Sequence, residues 1–398
     1  MSPSKMHLLQ NFLKGQEVGD DMAVAVVDED RCSQHNPEIG TGGRRSRRYL
    51  RGFRKLQTRF VFVACSKPSH PMSVGRTTMS NSRMSRGLAA LTLTFLSTGS
   101  VVAQAGPCAS WTKPDTWVSV TADEITDCAA RGQDLDAPVR SGYRPLHLAI
   151  LSRNGPAVHA LVGAGADVKA IGDHGIRPIH WTAVFGTPDL IALLIGQGAD
   201  PNAADELGMT PLMAAVIRQD DANAKALIAT GADVLATAVD GGTALHVAAE
   251  QGKLANLTLL LQSGAQVDAR NNEAATPLNL AATKGQTEAV RALLTVGADP
   301  NIPMVSALTP LHGAAIKGPV DTIRLLLAYG ADPNAASETG FTPLHGAVMS
   351  RKVANVSALL DAGASPKAEA PNVGTALDLA RKLPEDEILS LLLARSPD

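Results

Sequence analysis

From residue 142 to the end of the chain, apolar and polar positions recur with a long period. Within each period they recur again at helical spacing. A block opens on a small or glycine residue. A polar residue, proline, leucine and often histidine follow, and then a run of small and apolar residues. After a short polar break comes a second apolar stripe, such as Val290, Leu293 and Leu294 in "TEAVRALLTVG". Residues three and four apart share one helix face. Each block therefore predicts two short helices and a loop.

The opening phrase reads "GYRPLH" at Gly142, "GIRPIH" at Gly175, "GMTPLM" at Gly208 and "GGTALH" at Gly241. It continues as "AATPLN" at Ala274, "ALTPLH" at Ala307, "GFTPLH" at Gly340 and "VGTALD" at Val373, each step being 33 residues. A second phrase, "GAD", keeps the same spacing at Gly165, Gly198, Gly231, Gly297 and Gly330, and becomes "GAQ" at Gly264 and "GAS" at Gly363. Threonine suits the N-cap, and proline suits the first helical position, where its missing N–H costs nothing. Glycines at Gly186, Gly252, Gly285 and Gly318 are expected to end the first helices in a left-handed conformation.

Eight 33-residue units with these two phrases resemble ankyrin repeats. The likeness runs from Gly142 to Asp398, in units 142–174, 175–207, 208–240, 241–273, 274–306, 307–339, 340–372 and 373–398. It implies an all-α solenoid of stacked helix pairs with projecting hairpin-like loops. One unit cannot bury its own apolar face, so its neighbours complete the core. The stack also needs caps. "EITDCAARGQDLDA" resembles a second helix with its loop, since Gly132 lies 33 residues before Gly165. Cys128 then falls in the inward column of Leu161, Leu194, Leu227, Leu260 and Leu293. Residues 106–141 are thus expected to form an N-terminal cap with a half-repeat, with Thr121 as its N-cap and Trp111 and Trp117 over the end of the stack. "LPEDEILSLLLARSPD" is expected to be a polar C-terminal cap.

Charge divides the chain. Residues 1–105 carry 15 basic and 7 acidic residues, a net of +8, whereas residues 106–398 carry 21 and 31, a net of −10. An acidic array opposes binding to nucleic acid or an anionic membrane surface. Residues 1–83 show no sustained period and hold the basic run "RRSRRYLRGFRK" at Arg44–Lys55. "MSRGLAALTLTFLSTGSVVAQAGPC" at Met84–Cys108 has the basic start, apolar run and Ala-Gln-Ala of a secretory signal peptide. Residues 84–105 are expected to be that signal, cleaved after Ala105. Such a signal does not work behind 83 residues, so the expected start is Met79 or Met84, with residues 1–83 upstream of it or disordered. The localisation expected is periplasmic or secreted, in a bacterium, with no membrane contact beyond the signal. The arrangement of an early Cys and Trp before a half-repeat resembles bacterial secreted ankyrin proteins. In an oxidising compartment the mature chain's two cysteines, Cys108 and Cys128, are expected to pair.

Catalytic signatures are absent: the sequence holds no H-E-x-x-H, G-x-S-x-G, G-x-x-x-x-G-K or C-x-x-C. His147, His180, His246, His312 and His345 recur once per unit. Stacked units set them roughly 10 Å apart, too far for one metal. The resemblance implies that they bridge units instead. Asp167, Asp200, Asp233, Asp299 and Asp332 are expected to shape loops. The expectation is a non-enzymatic, monomeric scaffold with no cofactor and no metal. It binds a protein partner through its concave face and loop tips. Two alternatives stand beside this: an accessory or inhibitory binder of a periplasmic enzyme, and an intracellular regulator using the basic arm. The residue after the opening glycine is expected at the loop tip, and the residue after the histidine on an open face. Tyr143, Leu148, Ile176, Trp181, Phe185 and Met209 then form a partner patch with Trp181 as its anchor. Leu308 and Phe341 offer a second such place.

Overall fold

The computed structural model describes residues 108, 111, 114–139, 142–371, 373–384 and 386–395. The expected signal segment 84–105 and the basic run Arg44–Lys55 lie outside them. The described chain opens with a 3₁₀ turn at Pro114–Val118 and the helix α1 (Ala122–Ala130). Eight helix pairs follow: α2 (Pro145–Leu151) with α3 (Gly155–Gly163), α4 (Pro178–Phe185) with α5 (Pro188–Gly196), α6 (Pro211–Ala215) with α7 (Ala222–Ala229), α8 (Ala244–Gln251) with α9 (Leu254–Gln262), α10 (Pro277–Lys284) with α11 (Thr287–Thr295), α12 (Pro310–Lys317) with α13 (Val320–Ala328), α14 (Pro343–Met349) with α15 (Val353–Asp361), and α16 (Ala376–Ala380) with α17 (Asp386–Ala394). Between pairs the chain runs out into a finger. The last finger holds an antiparallel pair, β1 (Glu369–Ala370) and β2 (Gly374–Thr375). First helices stack on first helices and second on second.

The start of each first helix follows from its sequence. The residue before it is extended, which points its N–H at the side chain three residues on. Thr243 N–H donates to His246 Nδ1 at 3.1 Å, and the same bond recurs at His147, His180, His312 and His345. Since Nδ1 accepts, the ring proton sits on Nε2, which donates to a carbonyl of the next unit at 3.0–3.3 Å. One neutral imidazole thus caps its own helix and ties two units together.

Two of the four expected left-handed stops are so built: Gly252 (φ 65°) and Gly285 (φ 71°). Gly186 (φ −83°, ψ −166°) and Gly318 (φ −71°, ψ 162°) are extended instead. Gly318 precedes Pro319, which disfavours helical backbone before it. Glycine is needed at these two for close approach: an added Cβ would lie 2.7 Å from Thr182 O and 2.8 Å from Ala314 O.

Asparagines supply a second set of ties. Asn223 Nδ2 donates to the carbonyls of Ala183 and Gly186, and Asn355 Nδ2 to Ala315 and Gly318, closing the free C-terminal carbonyls of the preceding first helix. In the loops after the second helices, Asn202, Asn301 and Asn334 each accept from one backbone N–H of the next unit and donate to one of its carbonyls. The expected turn role of the GAD aspartates is seen directly: Asp200 Oδ1 accepts from Asn202 N, and Asp332 Oδ1 from Asn334 N, both at 2.8 Å. The core is a continuous row of Leu, Ile, Val and Ala between these ties.

At the N-terminal end Thr121 and Glu124 form a capping box, and Cys128 is fully buried. Trp117 is also fully buried and donates from Nε1 to Trp111 O at 3.2 Å. Asn154 Nδ2 fastens this segment to the first unit through Trp117 O and Val120 O. Cys108 and Cys128 are joined by a disulfide, their Cα atoms 5.9 Å apart. Closing a loop of this size stabilises a fold by about 3 kcal/mol in the chain-entropy model. At the other end Ile388 and Leu392 of α17 are buried against the stack.

Candidate binding surface

The open face lies beside the fingers, along the first helices. Its floor is set by the residue that follows the histidine position in each unit, a position held by Met213 in the third and Asn279 in the fifth: Leu148, Trp181, Ala214, Val247, Leu280, Gly313 and Gly346. In the N-terminal half this floor is filled. Trp181 is 8% exposed, Phe185 7% and Leu148 5%. The Trp181 ring lies 5.6 Å from Phe185 and 6.4 Å from Tyr143, and the Arg153 guanidinium sits 5.7 Å over Phe185. This corrects the expectation that Leu148, Trp181 and Phe185 stand on an open surface. Side chains on a helix lean back along it onto the neighbouring turn. Here the rings of Tyr143, Trp181 and Phe185, from two adjacent units, lie against one another and bury their own area.

Tyr143, Ile176 and Met209 are half-buried. They sit at the bases of the fingers, not at the tips. The carbonyls of Ile176 and Met209 accept the imidazole protons of His147 and His180. Burial, with a smaller contribution from Asp173, raises the Tyr143 hydroxyl above its ordinary pKa. The tips fall two or three residues earlier. There, backbone bonds run from finger to finger, as from Val239 N to Leu207 O and from Val305 N to Glu273 O. Val239 and Val305 are 58% and 56% exposed, and Glu206, Glu273, Glu338 and Glu369 line the same rim, exposed. Arg144 and Arg177 donate to the carbonyls of Asp136 and Ala204.

In the C-terminal half the floor is made of glycines, covered by their neighbours. Gly313 and Gly346 hold the column that Trp181 fills earlier. A methyl group on Gly346 would fall 2.8 Å from Ile316 Cγ1 and 3.5 Å from Phe341, so both side chains converge over that glycine. Ile316 is nevertheless 37% exposed and Met349 57%. Leu308 and Phe341 are half-buried beside them, and Lys317 is exposed at the end of α12. Lys284 is held by Glu250 at 3.0 Å. The result is an apolar trough with the Lys317 ammonium on the helix side and carboxylates on the finger side. It suits an apolar side chain of a partner, held in register by flanking charges. Sequence reasoning placed Leu308 and Phe341 here and weighed Met349 as either an adaptable contact or a filler of the stack, but passed over Ile316. The signal was present: in two consecutive units a glycine follows the histidine, with Ile316 or Met349 three residues after it.

Among the described residues no three His, Cys, Asp or Glu side chains gather closely enough to hold a metal ion. No helix there is long and apolar enough to cross a membrane.

Comparison with known proteins agrees with this geometry. The family model described as ankyrin repeats (3 copies) matches in overlapping segments from 146–238 to 311–398. The structure is similar to the crystal structure of the human ASB11 ankyrin repeat domain, with 30% identity and a TM-score of 0.51, over 56% of this chain and 99% of that one. A comparison with curated proteins returns no match. Repeating phrase, stacked helix pairs and family match coincide over the same residues, and the chain belongs to the ankyrin repeat family.

Proposed function

We propose that the chain is a protein-binding scaffold that works outside the cytoplasm, and that its partner seats on the trough of the sixth and seventh repeats. Ankyrin repeats generally mediate binding between proteins. The observation that carries the choice of site is the exposure of Ile316 and Met349 beside half-buried Leu308 and Phe341, where Gly313 and Gly346 replace the large side chains of the first two repeats. The aromatic cluster of the first two repeats is closed by its own packing and offers the partner only its rim at Tyr143, Ile176 and Met209.

Replacing both Ile316 and Met349 by Asp should weaken the partner by at least about 2 kcal/mol, roughly thirtyfold in affinity. Helical content should hold, because neither side chain fills the stack. Titration against the partner captured with the wild-type chain, beside a circular dichroism spectrum, decides it. Binding as tight as the parent's removes the trough from consideration.

Export rests on the order of residues in Met84–Ala105 and agrees with a disulfide at Cys108 and Cys128, a bond favoured in oxidising compartments. Protein isolated from the native cell should begin near Gly106, as read by N-terminal sequencing. Recovery of peptides from around Glu38 or Gln57 in the abundant species overturns the assignment.

A further inference from the structure

We propose that the solenoid parts first between its third and fourth repeats, dividing it into two modules that open independently. The ties between successive units can be followed along the stack. The histidine bridge joins the first repeat to the second, the second to the third, the fourth to the fifth, the sixth to the seventh and the seventh to the eighth. In the third repeat its place is taken by Met213, 1% exposed, which has no ring N–H to send across. The loop rung runs from Asn202, Asp268, Asn301 and Asn334 to the N–H of the next unit. In the third repeat its place is taken by Leu235, 49% exposed, whose side chain can accept nothing.

Other junctions lose one tie and keep the other. Lys169 leaves the first junction without a rung, but His147 spans it. At the fifth junction Asn279 bonds back to Ile302 of its own repeat, but Asn301 spans it and Thr287 meets Thr322 at 2.7 Å. Within 142–371 the junction after the third repeat alone lacks both.

Its geometry agrees. The helix α6 has 5 residues, where the other first helices from the first to the seventh repeat have 7 or 8. What still crosses is Asn256 Nδ2, donating to Val216, Arg218 and Asp220 carbonyls, and Asn272, bonded to Asp240 and Val239 in the finger. Asn256 Oδ1 is buried at this place with no hydrogen-bond partner. In a solenoid, stability is a sum over units and nearest-neighbour interfaces, so the interface that lacks both the histidine bridge and the loop rung, and whose first helices touch least, opens first. The break falls between the aromatic floor of the first two repeats and the apolar trough of the sixth and seventh, so each can open without the other.

The chain carries its own reporters. All three tryptophans, Trp111, Trp117 and Trp181, precede the junction. Tryptophan fluorescence therefore follows the N-terminal module, whereas far-ultraviolet circular dichroism follows both. Urea titration of the full chain should give two non-coincident curves. Met213→His with Leu235→Asn, which restores both ties, should draw them together. Leu235→Asn alone, on an exposed loop, should narrow the gap and serves if the double variant does not fold. Coincident curves in the parent overturn the proposal, and so do separate curves that neither variant moves.

Discussion

Trp181→Ala is expected to destabilise the N-terminal half of the array by about 3–5 kcal/mol, the usual cost of truncating a buried Trp. The side chain is 8% exposed and packs between Phe185 and Tyr143, so its removal leaves a hole in the floor of the first two repeats. Phe185 and the Arg153 guanidinium over it then lose their support. Leu293→Ala, at a fully buried position in α11, should cost about 2–5 kcal/mol for the same reason. The two losses should appear in different halves. The Trp181 variant should lower the urea midpoint of the N-terminal half, followed by fluorescence from Trp111 and Trp117; the Leu293 variant should chiefly lower the dichroism transition. A Trp181 variant that unfolds at the parent's midpoint would return that column to the open surface.

The contrast between these residues shows what the sequence could and could not reveal. The 33-residue period located every helix pair because each column has one physical job. Proline and threonine start a helix, the Leu column at Leu161, Leu194 and Leu293 faces inward, and Cys128 could be placed in that column before any coordinates. Columns that do not face inward are different. Their address is legible, but the direction of the side chain depends on what the neighbouring units offer. Trp181 lies flat because Tyr143 and Phe185 stand on either side of it. Ile316, in a neighbouring column, stays partly open although Phe341 and Gly346 are beside it. Fingers failed for a similar reason. The residue after the opening glycine was expected at the tip, but its carbonyl is drawn to a histidine of the preceding unit, which fixes Met209 and Phe341 at the base. That bond spans 29 residues, and no local propensity encodes it.

The same histidines make the array sensitive to acid. In each of His147, His180, His246, His312 and His345, Nε2–H donates to one unit while Nδ1 accepts a backbone N–H from its own. A second proton must go on Nδ1, where it would face that N–H donor to donor. Burial is the chief cause that holds all five pKa values below the ordinary 6.5, and the bonds to carbonyls offset it only in part. His147 is pushed down to about 4, with nearby Arg144 and His180 adding to burial and Asp167 opposing it. A pKa lower in the folded chain means that the unfolded chain binds more protons between the two values. Stability is therefore complete above pH 6.5, falls as the pH drops toward 4, and levels off below the folded value. For His147 alone the gap corresponds to about 3 kcal/mol, and the other four act in the same direction. Asn279 shows what removes the effect: its Oδ1 accepts from Thr276 N as an imidazole Nδ1 would, its Nδ2 donates to Ile302 O, and an amide does not titrate. His246→Asn should therefore lose some stability at pH 7.5 but lose less than the parent between pH 6.5 and 4.5. Urea midpoints across that range measure both slopes. A parent whose midpoint does not fall on acidification would mean that the imidazoles carry no titration penalty, and a His246→Asn slope equal to the parent's would place the acid-sensitive groups elsewhere.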